Sequence, residues 1–483
     1  MNIREISFRG LRWSIIEKAF LTIAGFVQLL VVVRYVEKEE LGLMAMVYTI
    51  LSFGGVFSDL GLGNSIIHKQ ESGHDKLSSL FWSYILIGCL LTVIFATTAP
   101  LFAYFFNEGE LKSIVIIASF TFLINGFVQL YQAILYKEMK FRILSKIQIT
   151  VTAISFIVVV SFAMLGFGVY ALVTGLLART VTNAVCLIII GRKHFTPGLH
   201  FSILEVREHL RFGLFQTGER IINTLNTQFD TLIIGKFLGA ETLGVYDVLK
   251  RLLSRPMQLI NSIVTKVSLP VLARTQEDSK KLGSLYIRQI LYLCSINFPI
   301  YVFIALSSRT FIPYLLTENW LNPGNNFLFI LFCLYYMIYT VQNPIGTLII
   351  AKGQVHRSFY YNLVVLFFFP LLLTWGATKG IIVVLNCMIV FHGIMIIVAH
   401  EVLLKRAAFV PLADFTYAML LPLVLSILAF GTGKCISCLL PVNMLFETIF
   451  TLFLGVASYF VISWKWNKAF IEELLNLYSF KLN

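Results

Sequence analysis

Apolar runs about twenty residues long, separated by short polar breaks, recur from near residue 11 to near residue 464. A helix crossing the hydrocarbon of a bilayer needs about 20 mostly apolar residues. That window predicts fourteen spans, near 13–35, 41–60, 80–102, 111–136, 147–165, 169–190, 212–238, 243–269, 285–306, 327–351, 358–375, 380–404, 415–430 and 445–464. Only Gly166, Phe167 and Gly168 separate the fifth from the sixth; the glycines supply a turn, and one long helix is the rival reading. No loop reaches the roughly 50 residues of a folded domain, so any chemistry sits within the bilayer or at its faces. The first apolar segment is full length and lacks a small-residue cleavage site, so it is expected to be retained as a helix rather than removed as a signal.

Composition agrees with this pattern. Of 483 residues 58% are hydrophobic and 13% charged, about half the charged share of a soluble domain, which excludes an ordinary soluble protein. Cytoplasmic loops retain Lys and Arg. The tails and loops on the N-terminal side hold 24 of the 38, the opposite side 7 and the spans 7. Both termini are therefore expected to be cytoplasmic. The same rule explains the net charge of +13, so the basic balance gives no reason to expect nucleic acid. Cys89, Cys186, Cys294, Cys333 and Cys387 fall inside spans as small hydrophobes. Cys435 and Cys438 form a Cys-x-x-Cys pair with no second pair nearby, a weak metal or redox signal.

An internal repeat appears at an offset of 202 residues. Glu17 and Lys18 fall on Glu219 and Arg220, Thr22 on Thr224, Arg34 on Lys236, and Leu41-Gly42 on Leu243-Gly244. At an offset of 215, Lys137 and Arg142 fall on Lys352 and Arg357. The matched spans share orientation, so the repeat is parallel and six helices long. The expected domains are an N-lobe at 1–195, a C-lobe at 196–406 and two further helices with a cytoplasmic tail at 407–483.

Charge inside the spans is where function is sought. Lys18, Arg179, Arg220, Lys250, Arg251, Arg255 and Lys266 lie within them. A charge at mid-bilayer costs at least about 2.5 to 3.5 kcal/mol unless it faces water or a partner. In the eighth span Asp247, Arg251, Arg255, Gln258, Ser262 and Lys266 follow at intervals of three or four, which places them on one helical stripe. Arg251 lies about 12 Å and Arg255 about 18 Å from the start of that span. The seventh span carries Gln216, Arg220, Asn223, Thr227 and Asp230 with Glu219 alongside, and the first carries Glu17, Lys18 and Gln28. One reading is a set of structural ion pairs, Arg220 with Asp247 or Arg251 with Asp230. The excess of cations in the eighth span favours a hydrated cavity that accepts an anion. Phosphate suits it, because Arg offers bidentate donors and stays charged at depth.

Other chemistries lack their residues. There is no Gly-Lys-Ser/Thr phosphate loop for ATP. His68, His74 and Asp75 have no metal-ligand spacing. The non-cytoplasmic loops hold few paired carboxylates beyond Glu37, Glu39 and Glu40. No catalytic residue, cofactor or metal is expected.

The segments Ser58-Asp59-Leu60-Gly61-Leu62-Gly63-Asn64-Ser65-Ile66-Ile67, Pro197-Gly198-Leu199-His200-Phe201-Ser202, Leu210-Arg211-Phe212-Gly213 and Asn343-Pro344-Ile345-Gly346-Thr347-Leu348 resemble the Wzx-type polysaccharide flippases of the PST family. The likeness is strongest to the colanic acid and teichuronic acid exporter branch, and it runs from the first helix to about residue 410. It implies the fold of the multidrug/oligosaccharidyl-lipid/polysaccharide exporter superfamily. That is an all-α integral membrane protein of about fourteen helices, with two pseudo-symmetric six-helix lobes in a V and two C-terminal helices. It also implies movement of undecaprenyl-diphosphate-linked oligosaccharide repeat units across the bacterial inner membrane by alternating access, for surface polymers such as lipopolysaccharide or exopolysaccharide.

The expectation is therefore a flippase and not an enzyme. Arg251, Arg255, Arg220, Lys250 and Lys18 are the candidate diphosphate ligands, and Gln216, Asn223, Thr227, Gln258 and Gln28 the polar lining. Asp230, Glu219, Asp247 and Glu17 are candidates for ion coupling or ion pairing, with proton and sodium both open. The partners expected are the lipid-linked oligosaccharide, membrane lipid and polysaccharide polymerase machinery. A multidrug antiporter of the same fold is the near alternative, although a cationic drug prefers acidic sites; a membrane glycan polymerase or ligase is the far one, and lacks a catalytic loop.

Overall fold

The predicted spans fall on helical segments in the computed structural model, the fourth and the tenth each broken into two helices and the seventh and eighth within one; the structure describes residues 3–68, 73–321, 323–439, 443–468 and 470–472. The side chains of residues 3–11, 64, 67–68, 208–216, 219, 355 and 358 lie outside that description. The α-helices, in chain order, are α1 (Ile3–Tyr35), α2 (Lys38–Asp59), α3 (Leu62–His68), α4 (His74–Phe106), α5 (Leu111–Gly126), α6 (Gln129–Lys137), α7 (Phe141–Met164), α8 (Val169–Gly191), α9 (Ile203–Arg274), α10 (Ser279–Leu306), α11 (Ser308–Phe311), α12 (Pro323–Gln342), α13 (Ile345–Ala351), α14 (Val355–Ala377), α15 (Ile381–Ala399), α16 (Lys405–Ala408), α17 (Leu412–Cys438) and α18 (Met444–Trp466). Among the described residues eleven helices are long and apolar enough to cross a membrane, twelve when the bent pair α5 and α6 is one span. The two halves of α9, where the seventh and eighth spans are expected, are not in that set, since their charged and polar stripe lowers their hydropathy. Large apolar side chains such as Leu86, Leu90 and Leu101 on α4 and Phe367, Phe368 and Leu371 on α14 point outward. Outward apolar faces suit a protein whose solvent is lipid.

Glycine sets the breaks that matter. Gly166 (φ +79°) and Gly168 (φ +53°) end α7 and start α8, so the fifth and sixth spans are two helices. Gly239 (φ +79°) interrupts α9 between its halves.

Tertiary contacts divide the chain into two compact units, Met1–Val248 and Leu249–Asn483. In the first, α4 packs on α5, and α7 packs on both α1 and α8. Leu80, Tyr84, Leu130, Leu135, Val151 and Leu187 form part of its core. In the second, α12 and α17 pack on α10, α15 on α12, α14 on α15 and α18 on α17. The hydroxyl of Tyr459 on α18 donates to the Ser295 carbonyl at 2.9 Å, and Asn467 Nδ2 to Ser295 Oγ at 2.9 Å, so α18 and the residue that follows it are tied to α10. Cys294, Cys333 and Cys387 are buried, and Cys435 and Cys438 are free and exposed. The Cys438 thiol lies 3.1 Å from Glu447, which pairs with Lys434 at 2.6 Å.

Candidate functional site

A charge carried on a membrane helix needs a counter-charge, donors or water, and the candidate residues divide along those lines. In the first unit α2 ends at Asp59, where Leu60 (φ +45°) and Gly61 (φ +72°) turn the chain into α3. The turn brings both Asp59 oxygens into use. Oδ1 accepts from the Gly63 N–H at 2.8 Å and from the Tyr84 hydroxyl at 3.1 Å, and Oδ2 pairs with Arg220 at 3.0 Å. The fold thus gives Arg220 a carboxylate partner, and it is Asp59, not Asp247. Arg220 keeps 42% of its side chain exposed, so this one contact leaves guanidinium donors in hand.

Asp230 is buried deeper, at 5% exposure. Its Oδ2 accepts from the Tyr246 hydroxyl at 2.5 Å and its Oδ1 from the Thr231 N–H at 2.7 Å. Tyr246 lies beyond Gly239, so this bond clasps the two halves of α9 across their break. Glu17 Oε2 accepts from the Ser145 hydroxyl at 2.6 Å, which joins α1 to α7. Beside it Lys18 is exposed and Gln28 half-buried. Asn223 and Thr227 are exposed in line with Arg220, the Thr227 hydroxyl turned back onto the Asn223 and Thr224 carbonyls. The side chains of Gln216 and Glu219 fall outside the described residues.

The eighth-span stripe starts at Asp247, half-buried at the edge of the first unit, and continues in the second with Lys250, Arg251 and Arg255 half-buried and Gln258 exposed. Here α9 contains Pro256, which has no N–H to give the preceding turn. Beside the Leu252 carbonyl that Pro256 leaves without its N–H, the Tyr301 hydroxyl bridges the next pair along the helix: it donates to the Leu253 carbonyl at 2.8 Å and accepts from the Met257 N–H at 3.2 Å. One turn earlier the Tyr336 hydroxyl donates to the Lys250 carbonyl at 3.1 Å. Two tyrosines, from α10 and α12, therefore hold the backbone that carries Arg251 and Arg255. Arg255 feels the like charge of Arg251 one turn away, and among the described residues it pairs with no carboxylate. Two guanidinium groups one turn apart repel each other, and an anion of charge minus two relieves that repulsion while taking bidentate hydrogen bonds from each.

The partner Asp59 and the positioning tyrosines Tyr246, Tyr301 and Tyr336 were not singled out in the sequence. Asp59 stood inside a segment quoted for its family resemblance, whereas buried tyrosines in an aromatic-rich chain carry no local signal. Among the described residues no group of three or more His, Cys, Asp or Glu is placed to hold a metal ion.

The model of the polysaccharide biosynthesis protein family matches residues 31–323. The chain is 29% identical over 430 residues to the lipopolysaccharide biosynthesis protein WzxC of Escherichia coli K12, covering 88% of this chain and 87% of that one. It is 27% identical over 381 residues to the teichuronic acid biosynthesis protein TuaB of Bacillus subtilis 168, covering 78% of each. Among solved structures it is similar to the lipid II flippase MurJ in an inward closed conformation, with a TM-score of 0.77 at 16% identity over 95% of this chain and 100% of that one. It is also similar to an inward-facing MATE multidrug resistance transporter of the MOP superfamily, with a TM-score of 0.61 at 14% identity over 80% and 96%. At such identities the likeness is one of fold.

Proposed function

The chain belongs to the polysaccharide biosynthesis protein family, and from that premise we propose that it is a flippase for polyprenyl-diphosphate-linked oligosaccharide repeat units. The protein crosses the membrane many times. In this reading the membrane is the bacterial inner membrane, both termini are cytoplasmic, and the lipid-linked unit passes to the outer leaflet by alternating access. The six-helix lobes of the sequence repeat, 1–195 and 196–406, are part of the same proposal.

Arg251 and Arg255 bind the diphosphate. Lys250 stands beside them, and Arg220 and Lys18 offer further cationic contacts along the path. Asn223, Thr227, Gln258, Gln28 and Gln216 meet the hydroxyl-rich sugars, and the polyprenyl tail stays in lipid. Asp247, Glu17 and Glu219 remain candidates for ion coupling, while the bonding of Asp230 to Tyr246 favours a structural role. The chain makes and breaks no covalent bond in this account, and a polymerase acts downstream of it as a partner.

The observation that carries the proposal is Arg255: half-buried on α9, one turn from another guanidinium and without a carboxylate partner among the described residues. Its test is export of surface polysaccharide by cells that make only the variant protein. Arg251→Ala and Arg255→Ala should each lower export by at least about tenfold, the worth of roughly 1.4 kcal/mol of lost binding, with the protein still in the membrane. Lys405→Ala, which removes an exposed i,i+4 pair with Glu401, should leave export unchanged. Normal export from both arginine variants excludes the assignment.

A further inference from the structure

Two basic side chains of α7 stand over one aromatic ring of α1, and none of the three has a part in the binding just described. Arg142 Cζ lies 5.4 Å and Lys146 Nζ 5.6 Å from the centre of the Trp13 ring. Cations within about 6 Å of a ring centre are attracted to it. The two helices run side by side in the same direction, since Trp13 meets Arg142 and, one turn on, Glu17 meets Ser145. Their membrane spans begin at Arg12 and Phe141. The cluster therefore lies where both helices enter the membrane, the level at which Trp rings settle among lipid headgroups.

The cations are left for an outside partner. Arg142 and Lys146 are one turn apart and exposed, and among the described residues neither forms an ion pair. Arg12 is exposed beside Trp13, and Lys140 just ahead of α7. The carboxylates closest in sequence have other partners: Glu17 accepts from the Ser145 hydroxyl at 2.6 Å, and Glu138 pairs with His194 at 2.8 Å. Like charges one turn apart repel, so the ring gathers two cations that would otherwise spread. A phosphate between them removes the repulsion and takes two donors from the Arg142 fork.

Apolar surface continues inward from the charges. Along α1, Trp13, Ile16, Phe20, Ile23 and Val27 recur at intervals of three or four, which sets them on one face. The last four are exposed, as is Ile157, three turns beyond Lys146 on α7. Among the described helices α1 packs chiefly on α7. An anionic head followed by hydrocarbon meets both parts of this surface, and basic clusters between membrane helices bind acidic headgroups. Each Lys or Arg at such a level strengthens attachment about fivefold. Two of them suit a lipid that is abundant in the bilayer.

We propose that Trp13, Arg142 and Lys146 form a binding site for an anionic phospholipid. Its phosphodiester lies against the two cations, its acyl chains follow Ile16, Phe20 and Ile157, and the bound lipid fastens the start of α1 to α7. The site does not depend on the flippase reading.

The experiment is native mass spectrometry of the full-length protein with dioleoyl phosphatidylglycerol or dioleoyl phosphatidylcholine added, joined to thermal unfolding in nanodiscs of each lipid. The wild-type protein should retain phosphatidylglycerol at least about tenfold better than phosphatidylcholine, and Arg142→Gln with Lys146→Gln should remove at least about nine-tenths of that retention. Lys405→Gln with Arg406→Gln takes the same charge from exposed positions on α16 and should keep it. Phosphatidylglycerol should raise the unfolding temperature of the wild-type protein above its value in phosphatidylcholine, and leave that of the α7 double variant unmoved. Equal retention of the two lipids by the wild-type protein overturns the site without any variant having to assemble. Full retention by the α7 double variant, or equal loss in both double variants, overturns it as well. An α7 double variant that keeps phosphatidylglycerol and loses polyprenyl diphosphate gives the surface to the transported lipid, and so also overturns the proposal. Phosphatidylglycerol held at these residues by a protein that binds no polyprenyl diphosphate supports the site and removes the flippase reading.

Discussion

At the scale of single residues, Glu108 shows how burial and backbone set a charge outside the spans. It lies in the turn between α4 and α5, and its Oε1 accepts from the Ala240 N–H at 3.2 Å. Burial raises its carboxyl above 4.5, the Ala240 bond pulls the other way, and the charges of Glu39 and Glu110 add to the rise. A folded state that holds its proton more tightly than the unfolded chain gains stability in full below pH 4.5 and loses it as pH climbs through the raised value. Glu108→Gln keeps the acceptor and removes the titration. Thermal unfolding should therefore show the variant gaining on the native protein as pH rises above 4.5; parallel profiles would refute the assignment. The charges themselves were legible in the sequence because a stripe at three- and four-residue spacing is local information. Their partners were not. Arg220 and Asp59 are 161 positions apart, and only the approach of α2 to α9 brings them together.

At the scale of elements, the crossing of α2 and α9 explains a pair of glycines. A Cβ on Gly42 would stand 1.8 Å from the Ala240 carbonyl oxygen, and one on Gly244 the same distance from that of Lys38. These positions correspond at the 202-residue offset, Lys38 with Ala240 and Gly42 with Gly244, so each copy of the segment lays its carbonyl on the glycine of the other. Such closeness is open only to a residue without a side chain. Gly42→Ala or Gly244→Ala should each cost about 1–3 kcal/mol through overpacking, read as a lower unfolding temperature of the purified protein. Gly55→Ala, on the same helix with nothing within 4 Å, should not. Existence of the helices was legible from apolar length alone, and the turn at Gly166 and Gly168 from its glycines. The bridge that Tyr301 makes beside Pro256 was not, because it depends on what a neighbouring helix presents.

At the scale of the whole molecule, fold and family were legible because many apolar spans with a basic bias admit few architectures and several short motifs agree. The substrate is read from chemistry at one place, the guanidinium pair on α9. Its most direct test is native mass spectrometry of the full-length protein released from membranes of cells that make its surface polymer. The wild-type protein should carry a bound polyprenyl diphosphate bearing an oligosaccharide, and Arg255→Ala should lose at least about nine-tenths of that occupancy. Equal occupancy in the variant, or a wild-type protein that carries no such lipid when it is abundant in the same membranes, would contradict the account.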